Sequence, residues 1–248
     1  FTCYEPKSLK RRIVRIINLF NLTSVHELWV KFLRDQQFIH TFMNEISVGM
    51  TSMFRDPVLW SSLKRLLAKY EKGPSLKIWH SGCSTGEEVF SMGILLRELR
   101  LQELTAAYCT DINIAAMDEA QRGVYHKIKM IENERNYKEY NLYGDFAKYY
   151  VPVGVNVQMD ISLINHATFA YQNLITDNFP SGFDIIFCRN VMIYFDNLAK
   201  MKLLEKFYTA LNPGGLFIIG FFDTMGHLMD DRHFKLIDER AKIFQKVG

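Results

Sequence analysis

The sequence predicts an α/β protein in which a parallel sheet carries helices on both faces. An all-helical segment precedes the sheet and a small antiparallel insertion interrupts it. Three observations predict this. Residues 1–60 carry apolar stripes of helical period and no strand pattern. From Leu76 onward, short apolar strands alternate with helical stretches, as successive βα units do. Between Val124 and Asn173 the alternation stops, and β-branched residues flank a Pro-Val-Gly turn that reads as two antiparallel strands. The expected division is a helical domain over 1–60, a linker helix to about residue 73, a main domain over 74–248, and a small β unit at about 140–170.

Taken in order, Leu9, Ile13, Ile16, Ile17 and Phe20 form one face of a first helix, with Lys7, Lys10, Arg11, Arg12 and Arg15 opposite. Ser24 caps a second helix with Leu28, Trp29, Phe32 and Leu33 inward. Asp56-Pro57 opens a third, with Leu59, Trp60, Leu63, Leu66 and Leu67 inward, and Gly73-Pro74 closes the helical part. Residues 76–80 form a strand that runs into Ser81-Gly82-Cys83-Ser84-Thr85-Gly86, followed by a helix over 87–101. Residues 106–110 are the second strand, with Asn113 capping the next helix. Residues 183–188 are a buried-type strand, and 197–211 a helix with Leu198, Met201, Leu204, Phe207 and Leu211 inward. Residues 216–222 and 242–247 complete the strands.

Composition narrows the function classes. At 248 residues and 48% hydrophobic, the chain can bury a sizeable core and is not a disordered tail. The run 216–222 is far short of the ~20 apolar residues of a membrane helix. Lys10, Arg11 and Arg12 interrupt the first apolar stretch, so no signal peptide is expected. A net charge of +3 does not make a nucleic-acid backbone the default partner. Cys3, Cys83, Cys109 and Cys188 are widely spaced, which suggests neither a disulfide framework nor a metal site and fits the cytoplasm.

Three places can carry chemistry. The glycine loop at Gly82 brings backbone close to a ligand at a helix start, yet it is neither a dinucleotide fingerprint nor a P-loop. Glu87 and Glu88 stand where a phosphate would lie, so they suit a cationic ligand part; a tight turn with two dipole-favoured acids is the plain alternative. Asp111 ends the second strand where an acid can accept ribose hydroxyls, or else caps its own turn. An acid there without pyrophosphate-binding glycines points to a nucleoside lacking phosphates, and S-adenosylmethionine fits both carboxylates. Arg189 and Asn190 follow the strand 183–188 at its carboxyl edge, with Tyr194 just beyond; a structural Arg–Asp pair is the alternative. His80 reads as a packing or hydrogen-bonding residue.

The runs Cys-Ser-Thr-Gly-Glu-Glu, Thr-Asp-Ile, Arg-Gly-Val-Tyr and Phe-Cys-Arg-Asn-Val-Met-Ile-Tyr-Phe, in that order, resemble the chemotaxis receptor glutamate methyltransferases (CheR type). Ser8-Leu9-Lys10-Arg11-Arg12 and residues 51–57 resemble that family too. The resemblance implies a Rossmann-like S-adenosylmethionine methyltransferase sheet with a helical N-terminal domain and a small antiparallel subdomain. It implies cofactor contacts from Thr51, Arg55, Gly82, Glu88, Asp111, Asn173, Leu174, Arg189 and Asn190, and places Arg55 and Tyr194 nearest the transferred methyl and the acceptor carboxylate. S-adenosylhomocysteine would be the product and chemoreceptor cytoplasmic helices the partners. A methyltransferase of this fold with another acceptor, and a non-catalytic cofactor-binding scaffold, are the alternatives. The chain departs from the family pattern at Gly49 (usually Asn), at Val89-Phe90 (usually Pro-Tyr), at His80-Ser81-Gly82 (usually small residues) and at Phe221-Phe222-Asp223 (usually His-Ser-Glu). Its turn at 151–155 is short and holds Pro152, so no C-terminal tethering peptide of the receptor is expected to add a strand there. The basic stripe from Lys7 to Arg15 either steers an acidic receptor surface or is a solvated helix face.

Overall fold

A computed structural model describes residues 3–46, 51–68, 75–223, 225 and 228–248. The expectations for Gly49 and for Gly73-Pro74 lie outside these residues. The chain opens with helices α1 (Pro6–Leu19), α2 (Val25–Arg34), α3 (Gln36–Ile46) and α4 (Pro57–Leu67). Ser24 caps α2, its Oγ accepting from the Glu27 N–H, while Glu27 reaches back to the Thr23 N–H. Ile16, Leu28, Phe38 and Phe42 form the small core shared by α1, α2 and α3. Two expectations for these helices fail. Trp29 and Leu33 are 61% and 72% exposed, because α2 turns only Leu28 fully inward. Arg12 is buried although it belongs to the basic stripe.

After β1 (Leu76–Ser81) come α5 (Glu87–Leu99), β2 (Thr105–Asp111) and α6 (Ile114–Arg122). The insertion contributes β3 (Val124–His126), α7 (Lys127–Tyr140), β4 (Tyr150–Val153) and β5 (Asn156–Met159). Then follow β6 (Ala167–Tyr171), β7 (Phe183–Cys188), α8 (Asn197–Ala210), β8 (Leu211–Ile219), β9 (Phe234–Asp238) and β10 (Ile243–Lys246). Among the described residues, one seven-stranded sheet has the order β6-β2-β1-β7-β8-β10-β9, and a three-stranded antiparallel sheet has the order β3-β5-β4. Strands β6 to β8 of the large sheet are parallel, whereas β10 runs antiparallel to both β8 and β9. The sheet is therefore mixed, not purely parallel. Its β9 went unread because Lys235, Leu236, Ile237 and Asp238 hold neither alternation nor a buried run. Residues 167–171, assigned by pattern to the insertion, are instead a parallel strand beside β2, and the small sheet takes Val124–His126.

Side-chain alternation splits the core into two layers. Ile78, Ile185, Phe187 and Ile218 face the layer shared with α4, α5 and α7, while Trp79, Ile186 and Phe217 face α8. The Trp79 indole N–H donates to the Thr110 hydroxyl at 2.9 Å, so this buried ring leaves no donor unmet. Helix α8 buries Ala199, Leu203, Leu204, Phe207 and Ala210; Leu198 and Met201 face outward, contrary to the periodicity reading. Glu98 gathers the insertion onto α5 by accepting from the hydroxyls of Tyr137, Tyr140 and Tyr149 at 2.7, 2.7 and 3.2 Å. Burial pushes the Glu98 pKa up, but those hydroxyls and the Lys64 charge outweigh it and hold the carboxyl below its ordinary range.

Helix α5 lies so close to the turn at 161–164 that a Cβ on Gly93 would collide with the Leu163 carbonyl. Alanine in a helix interior is worth about 1 kcal/mol over glycine, but overpacking of this kind costs about 1–3 kcal/mol. Gly93→Ala is expected to lower the free energy of unfolding by up to about 2 kcal/mol. A denaturant titration checks this, and a gain in stability would contradict the packing.

Candidate active site

The carboxyl ends of β1, β2 and β7 meet where the connections diverge to opposite sides of the sheet, the place where open α/β sheets leave a crevice. A cavity of about 620 Å³ lies there. Thr51, Arg55, Gly82, Glu88, Asp111, Asn173, Leu174, Arg189, Asn190 and Tyr194 all line it. Ten positions spread over 144 residues of chain thus converge on one cavity, from Thr51 to Tyr194.

The turn after β1 is shaped by its backbone. Gly82 has φ +81°, and a Cβ there would strike Val191, so glycine is needed both for the turn and for the approach of the two loops. The Gly82 and Cys83 N–H groups donate to the Thr110 carbonyl at 2.7 and 2.9 Å, tying the turn to β2. Asp111 accepts from the Ser84 N–H at 2.8 Å and the Asn113 N–H at 2.9 Å, one on each oxygen. Burial pushes its pKa up, against the pull of these donors. Asp111 therefore organises its own turn and also faces the cavity. On the far wall, Asn173 accepts from the Ile175 N–H, and Gln172 holds the Asn178 carbonyl while its buried Oε1 has no protein partner.

The two glutamates at the start of α5 part company. Glu87 is fully buried away from the cavity, bonded to the Thr85 hydroxyl at 2.6 Å and the Lys129 ammonium at 2.9 Å. The reading of Glu87 as ligand-facing is thus corrected. Glu88 lines the cavity and is held at both oxygens, by His80 Nδ1 at 2.8 Å and by Arg189 Nη1 at 2.9 Å. Burial would raise its pKa, but the His80 hydrogen bond and the Arg189 charge outweigh burial and hold it below the ordinary range. Arg189 Nη2 donates to Asp56 at 2.7 Å and to the Arg55 carbonyl at 3.0 Å. The Arg–Asp pair offered as a structural alternative exists, and it shares its arginine with the cavity wall.

Four wall or support residues were missed by pattern reading. Asp223, on the loop after β8, accepts from the N–H groups of Asn190, Gly220 and Ile193 at 2.7, 2.7 and 3.2 Å. It fixes the left-handed turn of Asn190, whose φ is +59°. Arg12 stacks its guanidinium 3.9 Å from the centre of the Tyr194 ring, so α1 reaches the site. Tyr4 pairs with Phe195 as a short antiparallel bridge and also lines the cavity. Gln172 is the fourth. An acid directly after the apolar run 216–222 was the available signal for Asp223; Arg12 gave none beyond its place in a basic run.

Residues 49–243 match the family described as CheR methyltransferase, SAM binding domain. A Pseudomonas putida protein named provisionally as the methyltransferase Cher3 is 35% identical over 99% of this chain and 90% of its own length. The chemotaxis protein methyltransferases of Escherichia coli and Listeria innocua are 28% and 27% identical, over 91% and 88% of this chain and 78% and 82% of theirs. Among solved structures, the DszA carbon methyltransferase aligns with TM-score 0.42 and 17% identity over 66% of this chain. The chain spans 34% of that protein's length. The cavity fits the cofactor the matched domain binds. It offers two carboxylates for hydroxyls and an ammonium, an apolar wall at Leu174 and Ile175, and an unmet buried acceptor on Gln172.

Because the folded Glu88 carboxyl lies below its ordinary value of 4.5, the stability it contributes is complete above that pH. It is lost as the pH falls through the depressed folded value. Glu88→Gln is expected to be about 1–3 kcal/mol less stable at pH 7. Its unfolding free energy should also fall less steeply below pH 4.5. Denaturation curves across the acid range check both, and parallel pH profiles would contradict the assignment.

Proposed function

This chain belongs to the CheR methyltransferase family, and on that premise we propose that it methylates glutamate side-chain carboxylates on the cytoplasmic helices of chemoreceptors. S-adenosylmethionine is the donor and S-adenosylhomocysteine the product. The observation that carries the reading is the convergence of Arg55 and Tyr194 with the eight other site residues on one cavity. When bound, the cofactor supplies an electrophilic methyl group on a sulfonium. Asp111 accepts hydrogen bonds from the ribose hydroxyls, and Glu88 from the amino-acid end. Thr51, Gly82, Asn173, Leu174, Arg189 and Asn190 complete the cofactor's surroundings.

A glutamate carboxylate has an ordinary pKa near 4.3, so it is already the nucleophile at neutral pH and no general base is required. Methyl transfer from a sulfonium to a carboxylate would neutralise opposite charges, which leaves alignment as the task of the protein's own residues. Arg55 grips one carboxylate oxygen pair through its planar fork and orients the acceptor. Tyr194, held under Arg12, donates a hydrogen bond to the same group. The reaction belongs to the cytoplasmic face of the receptor.

The receptor's tail is not needed for docking. Only Gly154 and Val155 separate β4 from β5, which leaves no long loop to receive an added strand. Pro152 removes one donor from edge strand β4. The methylation helix is read directly, with the exposed Lys7, Lys10 and Arg11 of α1 drawing in an acidic surface.

One observation favours a different acceptor: Phe221 and Phe222, where the family has His-Ser, are 59% and 64% exposed on the loop that Asp223 anchors. Labelled methyl transfer to receptor fragments, followed by alkali treatment, separates the readings. Release of the label marks a carboxylate ester, a base-stable product marks another acceptor, and cofactor binding without transfer to any acceptor marks a scaffold. Asp111→Ala is expected to weaken S-adenosylhomocysteine binding by about 1.5–3 kcal/mol in calorimetry, and unchanged affinity would reject its role. Arg55→Ala should lower kcat about tenfold or more while changing cofactor affinity little. A loss confined to cofactor affinity would move Arg55 out of acceptor positioning. Binding of an isolated receptor tail peptide at micromolar concentration, abolished by changes in β4, would contradict direct docking.

A further inference from the structure

The buried histidine behind the cavity has a task that follows from how three side chains share their atoms. His80 is fully buried, and its ring stacks on Phe187 with centroids 4.7 Å apart and planes at 14°. Its Nδ1 meets Glu88 Oε1 at 2.8 Å. Because that carboxyl is ionised, Nδ1 carries the hydrogen and donates it. On its other oxygen, Oε2, Glu88 accepts from Arg189 Nη1 at 2.9 Å.

A carboxylate with both oxygens open would pair with a guanidinium through two parallel bonds, the strongest arrangement available to the two groups. His80 competes for that second oxygen, and the guanidinium here pairs with Glu88 through Nη1 alone. Arg189 Nη2 is left to reach forward, to Asp56 Oδ2 at 2.7 Å and the Arg55 carbonyl at 3.0 Å. The segment it holds needs holding, since Phe54 and Asp56 are both left-handed at φ +53° and +58°. Non-glycine residues in that region persist only when their surroundings enforce them. Other anchors of the segment include the Met53 N–H to Asn133, the Asn136 amide to the Met53 carbonyl, the Phe54 N–H to Ser91, and the Trp60 indole N–H to the Arg55 carbonyl.

We propose that His80 is a positioning residue: by occupying one oxygen of Glu88 it assigns the second nitrogen of Arg189 to the Arg55–Asp56 turn and so sets the loop that orients the acceptor. This rests on the proposed role of Arg55. Without the donor, Oε1 draws Arg189 into a two-bond pair with Glu88, the turn loses its grip, and Arg55 leaves its alignment. Cofactor affinity changes little, because Glu88 keeps its charge and Asp111 is untouched.

The test compares three variants of the whole chain. His80→Phe keeps the stack on Phe187 and removes the donor. His80→Asn returns an amide nitrogen to the place of Nδ1. Asp56→Asn approaches the same link from its other end, at a residue type that tolerates the left-handed turn. His80→Phe and Asp56→Asn are expected to lower kcat about tenfold to a hundredfold, as a misplacement of about 1 Å does. S-adenosylhomocysteine affinity should stay within about threefold of the parent. Amide hydrogen exchange should quicken at residues 53–57, and His80→Asn should restore both kcat and exchange. Unchanged exchange and kcat in Asp56→Asn would overturn the proposal even if His80→Phe fails to fold. Equal defects in His80→Asn and His80→Phe would overturn it as well, leaving His80 a packing residue. If the parent transfers no methyl group to receptors, the function proposed above fails, while the exchange comparison still decides the role of His80.

Discussion

The guanidinium of Arg189 is where the parts of this molecule are tied together. It is nearly sealed from solvent, with 4% of its side chain exposed, and it ties its own segment to two others remote in sequence. Glu88 comes from the first helix of the sheet domain, while Asp56 and the Arg55 carbonyl come from the turn before α4. A buried charge without partners would cost several kcal/mol, so this site exists only when all three segments are in place. Sheet, helix start and N-terminal turn must assemble together for the cation to be tolerated, and the cavity wall is the by-product of that assembly.

The same logic runs outward from the arginine. Asp223 holds the Asn190 turn that follows it, and Asn190 in turn leaves no room for a side chain at Gly220. Gly82 accepts the close approach of Val191 from the other side. Glu98, crowned by three tyrosine hydroxyls, locks the insertion to α5 and so supports the helix whose first turn carries Glu88. The cavity is therefore lined by groups whose positions are set by hydrogen bonds behind them, which suits a reaction that depends on alignment more than on proton transfer.

Much of this was legible in the sequence, for identifiable reasons. β1, β2 and β7 are short buried runs that end in polar residues, so both the strands and the site at their carboxyl ends could be read together, and Asp111, Arg189 and Asn190 followed. What escaped depends on tertiary choice. Glu87 and Glu88 are adjacent and chemically identical, and only Lys129, 42 positions away, decides that the first is buried as a structural ion pair. In α8 two apolar faces competed, and contact with the sheet selected Leu203 over Leu198 and Met201. β9 lies at the edge of the sheet with most of its residues exposed, so burial left no pattern to find. Arg12 sat inside a run of basic residues and was singled out only by the packing of α1 against Tyr194.

By bonding both, Arg189 is expected to couple Glu88 to the Arg55–Asp56 turn energetically, beyond touching the two. A double-mutant cycle on unfolding free energy, with Glu88→Gln and Asp56→Asn made singly and together, measures that coupling directly. Both residues bind the same guanidinium, so an interaction energy of about 1 kcal/mol or more is expected. Additivity within about 0.3–0.5 kcal/mol would mean that the two contacts are independent and would contradict it.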